Sequence, residues 1–194
     1  MKNSRHIILR LLLILALFIS CSSDDDNPES NTVTIPDTNF EQALIDLGYD
    51  TNGLNGNILK VDAEAVTNLN VISKDIHSLQ GIEAFVNLEI LQCVGNELIT
   101  LDVSNNIKLE YLTCFNNHLT TLDVSANTIL FHLSCANNEL ESLNIKNGNN
   151  NADNNFFNAT GNPNLTCIEV DDVAYSTNNW MHIDNVASFS EACD

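Results

Sequence analysis

Apolar and polar residues alternate in a pattern that repeats at a fixed interval in the middle of the chain. Three segments carry it: LEILQCVGNELITLDVSNNIK from residue 88, LEYLTCFNNHLTTLDVSANTI from residue 109 and LFHLSCANNELESLNIKNGNN from residue 130. Each contains two stretches of the form x-L-x-C/V-x, or a close variant of it, whose period of two predicts a short strand. Apolar residues do not recur at helical spacing, so each unit is predicted to form two short strands joined by tight corners.

One such unit cannot bury its leucine side chains alone, whereas stacked units bury them against each other. Stacking in register at a strand spacing of about 4.8 Å places equivalent residues in files that run along the stack. The predicted inward files are Leu91, Leu112 and Leu133; Leu101, Leu122 and Leu143; and Cys93, Cys114 and Cys135. Asn96, Asn117 and Asn138 form a file at a corner, where an amide side chain can pair with backbone groups that no strand satisfies.

The units resemble the leucine-rich repeats, specifically the 21-residue bacterial class with the pattern L-x-x-L-x-C-x-x-N-x-L-x-x-L-D-V-x-x-N. The resemblance covers residues 35–194 and assigns 66–150 to the repeats, with VTNLNVISKDIHSLQGIEAFVN as the customary first coil. NPNLTCIEVDD resembles the customary last coil. The resemblance implies a mostly β fold, a solenoid of short parallel strands with an N-terminal capping helix and an irregular C-terminal cap. It implies little about function, because this fold hosts many binding partners.

The two ends of the stack need caps. Residues 35–65 are predicted as the N-terminal cap, in which IPDTNFEQALIDLGYD indicates a helix that ends at Gly48. Thr38 and Glu41 have the spacing of a capping box at its start. Residues 151–194 are predicted as the C-terminal cap, with Trp180 in its core rather than exposed as a sugar platform.

The N-terminus indicates export. Residues 1–20 combine a basic start with an apolar run too short to span a bilayer, which is typical of a signal peptide. The order F-I-S-C resembles a bacterial lipoprotein cleavage box, with Phe18 where Leu is usual, and implies lipid on Cys21; the alternative is an ordinary secretory signal. The acidic run Asp24–Asp26 looks like the surface-export tag of Bacteroidetes lipoproteins, and residues 21–34 are predicted to be a flexible tether. We therefore expect a lipid-anchored protein on the outward-facing leaflet of the outer membrane.

The charge balance is strongly acidic. The chain has 7 Lys and Arg against 26 Asp and Glu, a formal net charge of −19. Removal of residues 1–20 takes away three basic residues, which leaves 4 − 26 = −22. Binding to nucleic acid requires clustered basic side chains on phosphates, so nucleic acid is excluded as a partner. Divalent cations remain compatible with this charge.

The five cysteines that follow Cys21 fall into two groups. The thiols at 93, 114 and 135 take an inward phase, where a buried thiol behaves as a small hydrophobic group. A zinc site would need ligands that converge on one point, and His118 and His132 fall on outward or corner phases. Cys167 and Cys193 have no partner in the repeat, so in an oxidising compartment we expect a disulfide between them.

The segment DTNGLNGNILKVDAEA, between the predicted helix and the first coil, resembles a calcium loop of the D-x-N-x-D-G type. Asp50, Asn52 and Asn55 fit early ligand positions, and Asp62 fits the closing carboxylate. The segment departs from the pattern by one inserted residue and by Asp in place of the final Glu. The alternative is a Gly- and Asn-rich turn that leads into a strand, and a bound calcium would be structural.

The outward positions suggest where a partner binds. Ile90, Val94, Tyr111 and Phe115, with His132 in the same file as Tyr111, are predicted to form an exposed apolar patch on the first strand of each unit. The alternative is that edge coils or caps cover these side chains. Asp102 and Asp123 are predicted to face outward under one another on the second strand, where a cation or a basic partner would relieve their repulsion.

No sequence motif indicates an enzyme. A phosphate loop and a G-x-S-x-G motif are absent, and a regular stack offers no cleft that gives two acids different pKa values. We therefore expect a surface-anchored module without catalytic residues that mediates protein–protein interaction or adhesion. The alternatives are a glycan-binding accessory protein, which would use Tyr111 and Phe115, and a structural component of the envelope.

Overall fold

A computed structural model describes residues 31–149 and 156–193. The predicted signal peptide, the lipidation site Cys21 and the acidic run behind it lie outside the described residues, as do residues 150–155 and Asp194. Among the residues that are described, no helix combines the length and the apolar content that a membrane crossing requires.

The described chain consists of eleven short strands, three α-helices and a 3₁₀ turn. In chain order the elements are β1 (Thr32–Thr34), α1 (Thr38–Asp46), β2 (Asn57–Leu59), α2 (Lys60–Ala65), β3 (Asn68–Asn70), the 3₁₀ turn (Ile82–Ala84), β4 (Ile90–Gln92), β5 (Tyr111–Thr113), β6 (Thr121–Asp123), β7 (His132–Ser134), β8 (Ser142–Asn144), β9 (Phe156–Asn158), β10 (Cys167–Glu169), α3 (Val173–Asn179) and β11 (Ser188–Ser190).

Two parallel sheets form opposite sides of a solenoid. The first sheet has the order β3-β4-β5-β7-β9, and the second has the order β11-β10-β8-β6. Leu91 pairs with Leu112 and Leu112 with Leu133, so equivalent positions of successive units lie in register as the 21-residue period predicts. The predicted fold, a mostly β leucine-rich-repeat solenoid of short parallel strands, is confirmed.

The core lies between the sheets and is filled by the inward files. Each middle residue of a strand in the first sheet is buried, and the leucines of the corners close the space between turns. Cys93, Cys114 and Cys135 have no exposed surface, which confirms that their side chains pack inward.

The second sheet is shorter than the sequence predicts. Residues 100–102 form no strand, although their apolar pattern matches that of β6 and β8, and the second sheet therefore begins at β6. The preceding coil has the 3₁₀ turn Ile82–Ala84 at the equivalent position instead of a strand. Residues 100–102 therefore have no strand to pair with on the side of that coil.

The N-terminal cap contains the predicted helix, but the predicted capping box is wrong. Asp37 is the N-cap of α1, and its Oδ1 accepts from the backbone N–H groups of Asn39 and Phe40 at 2.9 and 3.0 Å. Its Oδ2 accepts from the amides of His77 and Ser78 at 2.7 and 2.9 Å, so one carboxylate both starts the helix and attaches it to the first coil.

The structure also shows where α1 ends and where the N-terminal cap begins. Gly48 follows the last turn of α1 with φ +76°, a left-handed conformation that glycine adopts without steric cost, which confirms the predicted stop. Thr32–Thr34 pairs antiparallel with β2, so these residues belong to the cap and not to the predicted tether.

The C-terminal cap continues both sheets. β9 extends the first sheet, while β10 and β11 extend the second. Trp180 is 7% exposed and packs against the rings of Phe157 and Phe189 at centroid distances of 4.8 and 6.0 Å. Its burial agrees with a role in the core of the cap.

A disulfide joins Cys167, at the start of β10, to Cys193 after β11, with a sequence separation of 26 residues. We expect the double variant Cys167→Ser, Cys193→Ser to lose about 3 kcal/mol of unfolding free energy, because the bond restricts the unfolded chain. Urea unfolding measures this loss. Wild-type protein in dithiothreitol is the matched control and should show the same midpoint as the variant, whereas an unchanged midpoint in both would contradict the prediction.

Candidate partner-binding face

Aromatic rings form a continuous stack on the outer face of the first sheet. Parallel pairing in register places Tyr111 beside His132 and His132 beside Phe156. The ring centroids are 3.8 Å apart in the first pair and 4.4 Å in the second, with interplanar angles of 15° and 14°. We call Tyr111, His132 and Phe156 the aromatic file. His182 lies next to its end, in a tilted contact with Phe156 at a centroid distance of 6.4 Å.

The rings are partly open to solvent. Phe156 is 41% exposed, and Tyr111 and His132 are half-buried. Burial lowers the pKa of His132, which favours the uncharged ring between its two neighbours at neutral pH. The file therefore presents an uncharged aromatic surface.

The remaining residues of the predicted patch are less exposed than the sequence suggests. Ile90, Val94 and Phe115 are half-buried. Between the aromatic file and the file of Val94 and Phe115 lie Thr113 and Ser134, which are only 5% and 7% exposed. The face is thus a shallow strip in which large side chains flank a buried file of small ones.

Sequence reasoning did not place Phe156 and His182 on this face. Phe156 follows His132 at a longer interval than the repeat, because extra residues precede β9, so the fixed period misses it. His182 lies in the cap, where its carbonyl accepts from the backbone N–H of Ala159 at 2.9 Å. Continued strand pairing past residue 150, suggested by the apolar pair Phe156 and Phe157, is the signal that could have found Phe156.

Asp102 and Asp123 are exposed on the other side of the solenoid, away from the strands that carry the aromatic file. Each carboxylate accepts from a backbone N–H two residues on, from Ser104 at 2.9 Å and from Ser125 at 2.8 Å. The hydrogen bonds from Ser104 lower the pKa of Asp102. Each carboxylate thus has a hydrogen-bond partner within its own turn. The cation or basic partner at this pair stays a prediction.

His118 lies at a corner between two acids of neighbouring units. Its Nδ1 is 2.8 Å from Oε1 of Glu139, and its Nε2 is 3.0 Å from Oε2 of Glu97. Hydrogen bonding to Glu139 and then to Glu97 raises the pKa of His118, because both ring nitrogens donate only in the protonated ring. These residues, which occupy equivalent positions of the repeat, connect three successive units on the surface.

The buried thiols are unsuited to nucleophilic or redox chemistry. Burial raises the pKa of Cys93 and of Cys135 to about 12 and also raises that of Cys114. Each Sγ lies 3.6–3.7 Å from a backbone carbonyl of the following coil. The thiol form therefore predominates at neutral pH, and these cysteines act as packing groups.

The residues of the predicted calcium loop do not all converge. Asp50 is buried, and its side chain approaches that of Asn52. Asn55 instead bonds within the loop, to the carbonyl of Asn52 at 3.1 Å and the amide of Asn57 at 3.1 Å. Asp62 accepts from the amide and hydroxyl of Thr51 at 3.2 and 2.6 Å. Across residues 31–149 and 156–193, no group of three or more His, Cys, Asp or Glu side chains is arranged to hold a metal.

Comparison with known proteins identifies the fold. No protein-family model matches the chain, and no curated protein matches it. Among solved structures, the functional domain of InlJ from Listeria monocytogenes, which includes a cysteine ladder, is 30% identical with a TM-score of 0.61. The alignment covers 75% of this chain and 31% of that one, so the chain spans about a third of its length.

A second similar structure is the internalin InlF from Listeria monocytogenes. It is 21% identical with a TM-score of 0.56, and the alignment covers 80% of this chain and 43% of that one. Both similarities are to proteins of known structure that share the fold of this chain, whose parallel strands pair in register. The chain is therefore a leucine-rich-repeat solenoid.

Proposed function

We propose that this chain is a binding module of the cell surface that recognises a protein partner through the outer face of its first sheet. The aromatic file of Tyr111, His132 and Phe156 is the observation that carries this proposal. Solenoids of this kind present extended surfaces that bind partners. The structural similarity to two internalins supports a role in protein–protein interaction of this general type.

The file has properties that favour binding. Aromatic side chains contribute large apolar area, and they are enriched among the residues that dominate binding energy. Because the rings of Tyr111 and His132 already stack at 3.8 Å, they lose little rotational freedom when a partner arrives. A preordered and half-exposed apolar strip therefore loses less conformational entropy on binding than a surface of separate side chains would.

The charge around the file indicates a basic partner. Glu89 and Glu110 are exposed and directly precede Ile90 and Tyr111 at the start of β4 and β5. Arginine in particular can lay the apolar part of its side chain along the exposed ring edges and pair its guanidinium with a neighbouring carboxylate. The net charge, −19 for the full sequence and 4 − 26 = −22 without residues 1–20, would also accelerate the approach of a positively charged protein.

The location on the cell is part of the same proposal. The chain would be held at the outer membrane by lipid on Cys21 and would face outward, with the acidic residues behind Cys21 as a tether. Only the sequence of residues 1–30 supports this. Protease treatment of intact cells tests it: an outward-facing domain is cleaved without lysis, whereas cleavage only after lysis would contradict the proposed orientation.

Glycan binding is the second candidate. The exposed edges of the Tyr111 and His132 rings could also contact the apolar face of a sugar ring, while the faces of the two rings stack on each other. Trp180 cannot serve as the sugar platform, because it is 7% exposed. A glycan ligand would therefore have to use the same aromatic file as a protein partner.

Cross-linking on intact cells tests the site. The full chain, with a photoreactive residue at position 92 on the same face, is applied to cells. The captured proteins are identified and then produced for affinity measurement. A glycan array probed with the same chain is the second experiment. We expect Tyr111→Ala to weaken binding of the captured protein by about 30-fold, as for a residue at the centre of an interface.

The matched control is Thr121→Ala, which truncates an exposed strand residue on the second sheet and should change affinity less than about twofold. Equal affinity of Tyr111→Ala and wild type would remove the aromatic file as the site. Binding to the array, with no protein captured, would favour the glycan candidate.

A further inference from the structure

The loop between α1 and β2 brings the side-chain oxygens of Asp50 and Asn52 close to the backbone carbonyl oxygen of Asn57. Asp50 is 5% exposed, and its Oδ1 accepts from the backbone N–H of Asn52 at 3.1 Å. Its Oδ2 is buried and has no hydrogen-bond partner in the described part of the chain. A buried carboxylate oxygen in this state carries the full cost of lost hydration.

The side chain of Asn52 adds to this crowding. Its Oδ1 faces only acceptors, namely Oδ1 of Asp50 in close contact and the carbonyl oxygen of Asn57 at 3.2 Å. Its Nδ2 donates to Oδ1 of Asn57 at 2.8 Å. Exchanging the positions of the amide oxygen and nitrogen would let Nδ2 donate to Oδ1 of Asp50 and to the carbonyl of Asn57. The Asn52 oxygen could then accept from Nδ2 of Asn55 at 3.2 Å, but it would also lie against Oδ1 of Asn57 at 2.8 Å. With Asn57 as it stands, neither orientation satisfies every group.

The rest of the loop is held by Glu41, which is 1% exposed. Its Oε1 accepts from the amides of Asn55, Gly56 and Asn57 at 2.7, 2.6 and 3.1 Å. These bonds occupy three donors of the loop, so they are not directed at Asp50.

We propose that this loop binds Ca²⁺ through the carboxylate of Asp50, the side-chain oxygen of Asn52 and the backbone carbonyl of Asn57. Calcium takes carboxylate, amide and carbonyl oxygens in flexible arrangements, and water completes its coordination. The ligand set differs from the one the sequence suggests, since Asn55 and Asp62 make other bonds. One bound ion would give the unpaired Oδ2 of Asp50 a partner and would offset the repulsion between Oδ1 of Asp50 and Oδ1 of Asn52.

Calorimetric titration of the metal-free full chain with CaCl₂ tests the site, with MgCl₂ in parallel. A site with one carboxylate ligand should bind Ca²⁺ with a Kd of about 1 mM, in the range of extracellular modules, and Mg²⁺ more weakly. At about 10 mM CaCl₂ the melting temperature should rise by about 3–6 °C over its value in EDTA. No heat of binding and no thermal shift in folded protein would overturn the proposal.

Asp50→Asn should weaken Ca²⁺ binding by about tenfold or more, because it removes the only charged ligand. Asp46→Asn is the matched control: it removes the same charge from the exposed end of α1, where Asp46 accepts from Gln42 and lies 3.9 Å from Lys74, and should leave affinity within about twofold. Equal binding by Asp50→Asn and wild type would place the ion elsewhere and overturn the assignment.

Asn52→Asp keeps the proposal testable if Asp50→Asn fails to fold. A second carboxylate against Asp50 should lower the melting temperature in EDTA, because like charges in contact repel. With Ca²⁺ the same variant should bind about tenfold more tightly than wild type, because calcium affinity rises with ligand charge. A melting temperature that stays low at every Ca²⁺ concentration would overturn the proposal. None of these readouts depends on partner binding.

Discussion

Asn117→Ala is expected to destabilise the solenoid by about 3–5 kcal/mol. The side chain is 5% exposed, and its Oδ1 accepts from the backbone N–H of Leu98 at 3.0 Å. Its Nδ2 donates to the carbonyls of Cys93 and Cys114, both at 3.0 Å. The variant leaves the buried amide of Leu98 without an acceptor. Each carbonyl also loses one of its two asparagine donors: Cys93 keeps only Asn96, and Cys114 keeps only Asn138.

Equilibrium urea unfolding measures this loss, and two variants sharpen it. Asn117→Asp keeps an acceptor for Leu98 but sets its second oxygen against the carbonyls of Cys93 and Cys114, so it should be at least as destabilising as alanine. Asn105→Ala, at an exposed position of the same repeat region, is the control and should cost less than about 0.5 kcal/mol. Equal midpoints for Asn117→Ala and Asn105→Ala would show that the asparagine file does not hold the coils.

Glu41→Ala is expected to cost about 4 kcal/mol of unfolding free energy, with the measurement made in EDTA so that no cation contributes. The carboxylate is 1% exposed and accepts from three successive amides, those of Asn55, Gly56 and Asn57. Hydrogen bonds to a charged group each contribute about 1.5–3 kcal/mol, and part of this is recovered where water reaches the exposed loop. The loop and the edge of the cap should loosen together.

Glu41→Gln is the conservative variant, because its amide oxygen can still accept from the loop but carries no charge. We expect it to lose about half as much stability as Glu41→Ala. Glu89→Ala, an exposed acid at the edge of β4, should stay within about 0.5 kcal/mol of wild type. A Glu41→Ala midpoint equal to that of Glu89→Ala would contradict the role of Glu41 in holding the loop.

The repeat explains why the core could be predicted from the sequence. A residue that recurs once in every turn meets its own equivalents above and below, so its environment is set by the period and the strand spacing. The files of Leu112, Cys114 and Asn117 follow directly. The same period predicts that Tyr111 and His132 share one file, whereas the near-parallel stacking of their rings follows only from the structure.

The rest of the candidate sites depends on segments that occur once. Glu41 has the spacing of a capping residue, yet it reaches a loop 14–16 residues further on, while Asp37 caps the helix. Phe156 joins the aromatic file across an interval longer than the repeat. Asp50 and Asn52 fit a calcium-loop pattern in the sequence. The third oxygen of the proposed site is the backbone carbonyl of Asn57, which a pattern of side chains does not identify.

The sequence by itself determined the solenoid, its 21-residue turn and the inward leucines, thiols and asparagines, because each turn must repeat the burial of the one before it. Only the tertiary structure decided where the second sheet begins, which acid caps the first helix and which oxygens face each other around Asp50. Those features arise from contacts between non-repeated segments, whose relative positions no local period encodes.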